Sequence, residues 1–160
     1  MRARTRVILI PKKGGIGMAD HTRRLLSEVE KTAAFGRDSV KAVLRHVDND
    51  HLRQELSRSR NRYRTVVDEA HNTLASLGCH SGRNPQSVKM MMRTAINAQL
   101  NRKRDVSRAA EMMIQGCTMG NIELLKAIHD NPAASTRAVD IAEHAITEQE
   151  RTIESMKRFL

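Results

Sequence analysis

Residues 20–77 read DHTRRLLSEVEKTAAFGRDSVKAVLRHVDNDHLRQELSRSRNRYRTVVDEAHNTLASL, and this stretch decides the fold. At about 100° per residue, Leu25, Leu26, Val29, Ala33, Gly36, Val40, Val43, Leu44 and Val47 fall on one face of a helix. That spacing predicts a first helix over about 20–47. Asp48-Asn49-Asp50 is a turn that also supplies an N-cap. Leu52, Leu56, Tyr63, Val66, Val67, Ala70, Leu74 and Leu77 then repeat the pattern and predict a second helix over about 51–77. Gly78 fits the left-handed residue that closes a helix. Two long helices joined by a tight turn form an antiparallel hairpin.

Working outward, Cys79-His80-Ser81-Gly82-Arg83 reads as a loop. Asn84-Pro85 reads as a cap followed by the first residue of a short third helix, about 85–100. Asn101–Asp105 breaks the chain. A fourth helix, about 106–129, is apolar around most of its circumference, so it is expected to be the most buried. Asn131-Pro132 repeats the cap-plus-proline signal. The fifth helix continues to the end of the sequence with Ala138, Val139, Ala142, Ile146, Ile153, Met156 and Leu160 on its inner face. No alternating strand pattern appears.

The four long helices are each about 25–28 residues, roughly 40 Å. Two tight hairpins separated by a long connection predict an all-α, ferritin-like four-helix bundle with a short additional crossover helix. An up-down bundle with the third helix as a side flap is the alternative.

Over 110–128, AEMMIQGCTMGNIELLKAI, and over 148–160, EQERTIESMKRFL, the chain resembles ferritin-like helical-bundle proteins of Gram-positive bacteria. The resemblance is sharpest over about 110–160 and extends in architecture over residues 18–160. It implies a fold and no activity.

Composition narrows the function classes. The 160 residues carry a formal net charge of +10, two cysteines and no Trp. Phe35, Tyr63 and Phe159 are the aromatics, too few for a base-stacking platform. No apolar run spans a bilayer; the longest is Val7–Pro11. Two cysteines make neither a disulfide framework nor a zinc knuckle, and reduced thiols fit a cytoplasmic protein.

The positive charge suggests nucleic acid, but half of it lies in residues 1–17, MRARTRVILIPKKGGIG. That stretch holds Arg2, Arg4, Arg6, Lys12 and Lys13 and no acid. Residues 18–160 keep 23 of the 28 basic side chains against all 18 acidic ones. Lys12-Lys13-Gly14-Gly15 is also what a bacterial ribosome-binding sequence yields on translation, at suitable spacing before Met18. Residues 1–17 are therefore expected to be a non-structured leader before a true start at Met18, with 18–160 as one helical domain.

A ferritin-type di-metal site needs an inward Glu on each of two helices and an inward Glu-x-x-His on each of the others. No Glu-x-x-His occurs. With Leu52 as zero, His71 falls near 100°, Asp68 near 160° and Glu69 near 260°, outside the apolar stripe. Glu28 and Glu30 flank Val29. Glu111 sits on the least apolar side of its helix. Glu143, Glu150 and Glu154 form a rim stripe.

Other candidates read as structural. His21, His46, His51, His71, His80, His129 and His144 are scattered; His129 is placed to satisfy carbonyls ending the fourth helix, and His144 to pair with Asp140. Cys79-His80 has no third group to orient a base. Cys117 reads as a small core residue. Gly116 and Gly120, with Ala109, are expected to let the first and fourth helices pack closely, or to serve a dimer interface. The Met-rich third helix is the expected flap over any cavity. Arg53, Arg60 and Arg64 lie on one flank of the second helix, and Arg58 and Arg62 on the other. That split disfavours a nucleic-acid-reading face.

The sequence thus assigns no catalytic, cofactor-binding or metal-ligating residue, and no cofactor. It favours a non-enzymatic, self-associating cytoplasmic structural or interaction protein, such as a homodimer, without a membrane partner. The alternatives are a metal-binding ferritin-like oxidoreductase or store, and a basic nucleic-acid-associated protein.

Overall fold

A computed structural model describes residues 17–80, 82, 85–100 and 105–160. The expectations for the leader, for Asn84 as a cap and for the break over 101–104 lie outside the described residues. The described residues form five helices: α1 Met18–Val43, α2 Asp50–Ser76, α3 Gln86–Leu100, α4 Val106–Asp130 and α5 Thr136–Lys157. Among the described residues there is no strand. The fold class is all-α.

Local chemistry sets the boundaries. The Asn49 side chain accepts from the Leu52 N–H at 2.9 Å and starts α2. Arg53 donates to the carbonyls of Leu44 and Val47 at 3.0 and 2.8 Å, so it closes the end of α1 rather than facing solvent alone. Gly78 takes φ +68°, and the Cys79 N–H reaches back to the Leu74 carbonyl at 2.9 Å. That is a Schellman closure, and it needs a residue tolerant of the left-handed region. Asp105 caps α4 by accepting from the N–H groups of Ser107 and Arg108.

Asn131-Pro132 does not start the last helix. Asn131 instead donates its side-chain amide to the Ala127 carbonyl at 2.8 Å and ends α4. It thereby performs the task expected of His129, which is exposed. Ser135 caps α5, accepting from the Ala138 N–H at 3.3 Å.

The α1–α2 and α4–α5 hairpins pack side by side, α1 against α4 and α2 against α5, with α3 lying on α1. Buried side chains form two clusters. One joins Val40, Val43, Leu52, Leu56, Met113 and Met156 with the buried face of α3. The other joins Leu25, Val29, Ala70, Leu74, Leu124 and Ile141. The first takes the end of α1, the start of α2, the start of α4 and the end of α5. Hence α2 and α4 run in the same direction, and the chain between them returns along the length of the molecule. Each fully buried Leu contributes roughly 2 kcal/mol to this core.

Two expectations about faces need correcting. α4 is not the most buried helix: Met119, Ile122 and Leu125 are 69%, 48% and 57% exposed. Its apolar circumference exceeds the surface its neighbours cover. On α5 the buried residues are Ala138, Ile141, Ala142, Ala145, Glu148, Gln149, Thr152 and Met156. Val139, Ile146 and Ile153 are half-buried and Leu160 is exposed. Ala138, Ala142 and Met156 of the expected face are buried, and Val139, Ile146 and Ile153 pack at its margin. The centre of the buried face is shifted toward Ile141, Ala145 and the polar Glu148, Gln149 and Thr152, of which Glu148 and Thr152 find partners on α2.

Candidate functional site

Between the two clusters lies a polar layer, built at helical spacings of three, four and seven residues. Ser59, Arg62 and Glu69 run along one edge of α2; Thr152, Glu148 and His144 run antiparallel along α5. Arg62 Nε stands 3.0 Å from Glu148 Oε2. Its Nη2 donates to Ser59 Oγ at 3.0 Å. Thr152 Oγ1 lies 3.2 Å from Ser59 Oγ and donates to the Glu148 carbonyl at 2.9 Å. The other Glu148 oxygen takes Arg151 at 2.7 Å and faces His144 Nε2 at 3.5 Å. His144 Nδ1 meets Glu69 Oε2 at 2.9 Å. Glu148 is 4% exposed, so these contacts, rather than water, hold its charge.

This seam was not anticipated. His144 pairs with Glu69 and Glu148 instead of Asp140. Glu143, Glu150 and Glu154, the expected rim stripe, are exposed. Glu148 lies on the inner face instead. On α1, Glu30 meets His71 at 3.2 Å across the hairpin. Among the described residues, no three His, Cys, Asp or Glu side chains come together in a way that could hold a metal ion.

Beside the seam, Tyr63 Oη lies 3.0 Å from Cys117 Sγ. Burial pushes the Cys117 thiol up to about 11; the Tyr63 hydrogen bond and Arg62 act against that rise. Burial likewise raises the Tyr63 phenol above its ordinary value, and Cys117 adds to the rise. Both groups are therefore neutral at physiological pH. Cys79 is half-buried in the loop after α2, its thiol 3.6 Å from the Leu77 carbonyl, and His80 is exposed.

On the opposite side, α1, α3 and α4 enclose an apolar groove of about 520 Å³. The glycines do not bring α1 and α4 together there. A methyl group on Gly116 would meet nothing within 4 Å, one on Gly36 would stand 3.3 Å from the Tyr63 ring, and one on Gly120 would run into the Gln149 carboxamide. Each of the last two makes room for a side chain arriving from the other helix of its own hairpin. α3 does cover one wall with Met92, Ala95 and Ile96. Its Met90 and Met91 point outward.

A second cleft, of about 560 Å³, lies between α1 and α3. Arg37, Lys41 and Arg45 line it from α1, and Lys89 and Arg93 from α3, with Asp38 bridging Arg37 at 3.0 Å and Lys89 at 3.5 Å. Helical spacing of four along both walls carries this cleft. The sequence reading, drawn to the arginines of α2, missed it. No family model, curated protein or solved structure matches this chain.

Proposed function

We propose that the chain is a ferritin-like four-helix bundle with a non-enzymatic structural or interaction role in the cytoplasm, self-associating as a homodimer through the outer face of α4. The carrying observation is the exposure of Met119, Ile122 and Leu125 on a helix that is apolar nearly all round. Glu123 and Lys126 flank these residues one turn apart, 3.5 Å from each other. A two-fold axis across the patch sets Glu123 of one copy against Lys126 of the other, so the surface is self-complementary. The parallel course of α2 and α4 around a long connection supports the ferritin-like assignment. Two unpaired thiols agree with a reducing compartment. Light scattering at micromolar concentration should return a dimer. Ile122→Lys with Leu125→Lys should give a monomer with unchanged helicity. A monomeric wild type overturns the reading.

The α1–α3 cleft favours a second reading, association with nucleic acid. Lys41→Glu with Arg93→Glu should weaken duplex DNA binding and lower the log–log salt slope by about 2. A larger effect from Arg60→Glu with Arg64→Glu, on α2, would count against the cleft.

A further inference from the structure

We infer that the groove between α1, α3 and α4 is a binding site for an uncharged apolar small molecule bearing one hydrogen-bonding head group, which meets the side chain of Gln149. The groove adjoins the outer face of α4 and shares Met119 and Glu123 with it, whereas Ile122 and Leu125 belong to the outer face alone.

The walls are hydrocarbon and thioether: Phe35 and Val43 on α1, Met92 and Ile96 on α3, Met112 and Met113 on α4. A volume of about 520 Å³ falls within the range of roughly 300–1,000 Å³ typical of small-molecule sites. Methionines suit a wall that must adapt to a guest. Three helix-interior glycines line the groove, at a cost of about 1 kcal/mol each relative to Ala. Two have a visible use. The gap at Gly36 admits the Tyr63 ring, and the gap at Gly120 admits the end of Gln149. The third, Gly116, faces open groove.

Gln149 is the polar group that needs a partner. It sits on α5, is 5% exposed, and reaches past α4 at Gly120 to line the groove. Its carboxamide makes no hydrogen bond among the described residues, and its polar atoms open onto the groove. There a ligand carbonyl, hydroxyl or amide can hydrogen-bond it, a contact worth about 1 kcal/mol. Tyr63 does not compete for that role, because its hydroxyl is engaged with Cys117.

Charge selects against anions. Gln149, Tyr63 and Cys117 form a neutral floor. At the mouth stand Glu28, Lys31 and Glu123, with Lys31 held by Glu28 at 2.8 Å. Each acid at the mouth already holds a lysine, Glu28 holding Lys31 and Glu123 holding Lys126, so a carboxylate or phosphate head entering the groove would leave water without a cation on the floor to receive it. A neutral head needs none.

The test uses diphenylhexatriene, a wholly apolar fluorophore, with dodecanamide and dodecanoate as competitors at pH 8. Wild type should bind one fluorophore per chain. Dodecanamide should displace it at least tenfold better than dodecanoate. Gly116→Leu fills the groove and should abolish binding while helicity and melting stay at the wild-type level. Ala95→Trp fills it from the α3 wall and serves the same purpose if the first variant does not fold. Gln149→Leu should keep the fluorophore within twofold yet weaken dodecanamide roughly fivefold, the loss of one hydrogen bond. Leu125→Ser, on the outer face of α4, should leave both unchanged. Undiminished binding in the folded groove-filling variant, loss of binding in Leu125→Ser, equal displacement by dodecanoate, or unchanged dodecanamide affinity in Gln149→Leu would each overturn the inference.

Discussion

The α2–α5 seam and the α1–α4 groove lie at the same level of the molecule, on opposite sides of Tyr63. The seam is polar and closed. Arg62, Glu148, Ser59 and Thr152 fill it and pair with one another, with Arg62 Nε and Glu148 Oε2 facing each other as an ion pair outside hydrogen-bond geometry. The groove is apolar and open, with Gly116 where a side chain could stand. Hydrocarbon normally fills the interior of a helical protein, and polar groups line its openings. Here the arrangement is reversed. A charged seam closes because each ion demands a specific partner, and the partners are supplied by the facing helix. An apolar gap makes no such demand, so it stays open at the modest cost of lost dispersion contacts.

The largest effect should come from breaking the seam. Glu148→Ala leaves the Arg62 guanidinium, three-quarters buried, without its counter-ion. The expected loss is about 3 kcal/mol of unfolding free energy, read from urea midpoints. Arg62→Met combined with Glu148→Leu should recover most of it, because removing both charges removes the desolvation penalty together with the attraction. A loss below about 0.5 kcal/mol for the single variant would reduce the seam to an ordinary surface ion pair.

The next effect is a pH window on the shared wall. An ordinary thiol ionises near 9, whereas burial holds Cys117 up to about 11. The unfolded chain therefore releases that proton first. Stability is fully present below pH 9 and falls as pH rises toward 11, by about 2 kcal/mol for this one group. The raised Tyr63 phenol acts in the same direction at higher pH. Cys117→Val should flatten the decline between pH 9 and 11. At neutral pH iodoacetamide should label Cys79 and spare Cys117 in the folded protein. A decline unaffected by Cys117→Val would show that other groups carry it.

The contrast between the regions also explains what was legible in the sequence. Apolar periodicity located all five helices, because Leu, Val and Ala at 3–4 spacing report burial directly. Asn49 and Gly78 announced their boundaries through capping chemistry. The Asn131-Pro132 signal misled, since Asn caps either end of a helix and the side chain turned back to Ala127. Glu148, Gln149 and Thr152 were invisible because a hydrophobic wheel treats polar residues as outward. The signal that was present is a complementary one: Ser59, Arg62 and Glu69 on α2, spaced by three and seven residues, share one helix edge as His144, Glu148 and Thr152 do on α5. Reading it requires knowing that α2 and α5 are neighbours. The groove was hidden for the opposite reason. Glycine spacing announces close approach, and only coordinates tell whether a helix, a side chain or nothing approaches.

The smallest effect separates those three cases by sign. Gly→Ala in a helix interior gains about 1 kcal/mol when nothing obstructs the methyl group. At Gly116 nothing lies within 4 Å, so Gly116→Ala should stabilise the protein by nearly that amount. At Gly36 the methyl would press at 3.3 Å on the Tyr63 ring, which is buried and fixed by its contact with Cys117. Gly36→Ala should therefore lose stability despite the same gain in propensity. At Gly120 the obstacle is the end of a flexible side chain, which can swing aside. Gly120→Ala should fall between the two and, by displacing Gln149, change the groove more than the fold. Thermal melts of the three single variants give the ordering. A closely packed α1–α4 contact at Gly116 would invert it, making Gly116→Ala the most harmful of the three and removing the open groove on which the contrast with the seam depends.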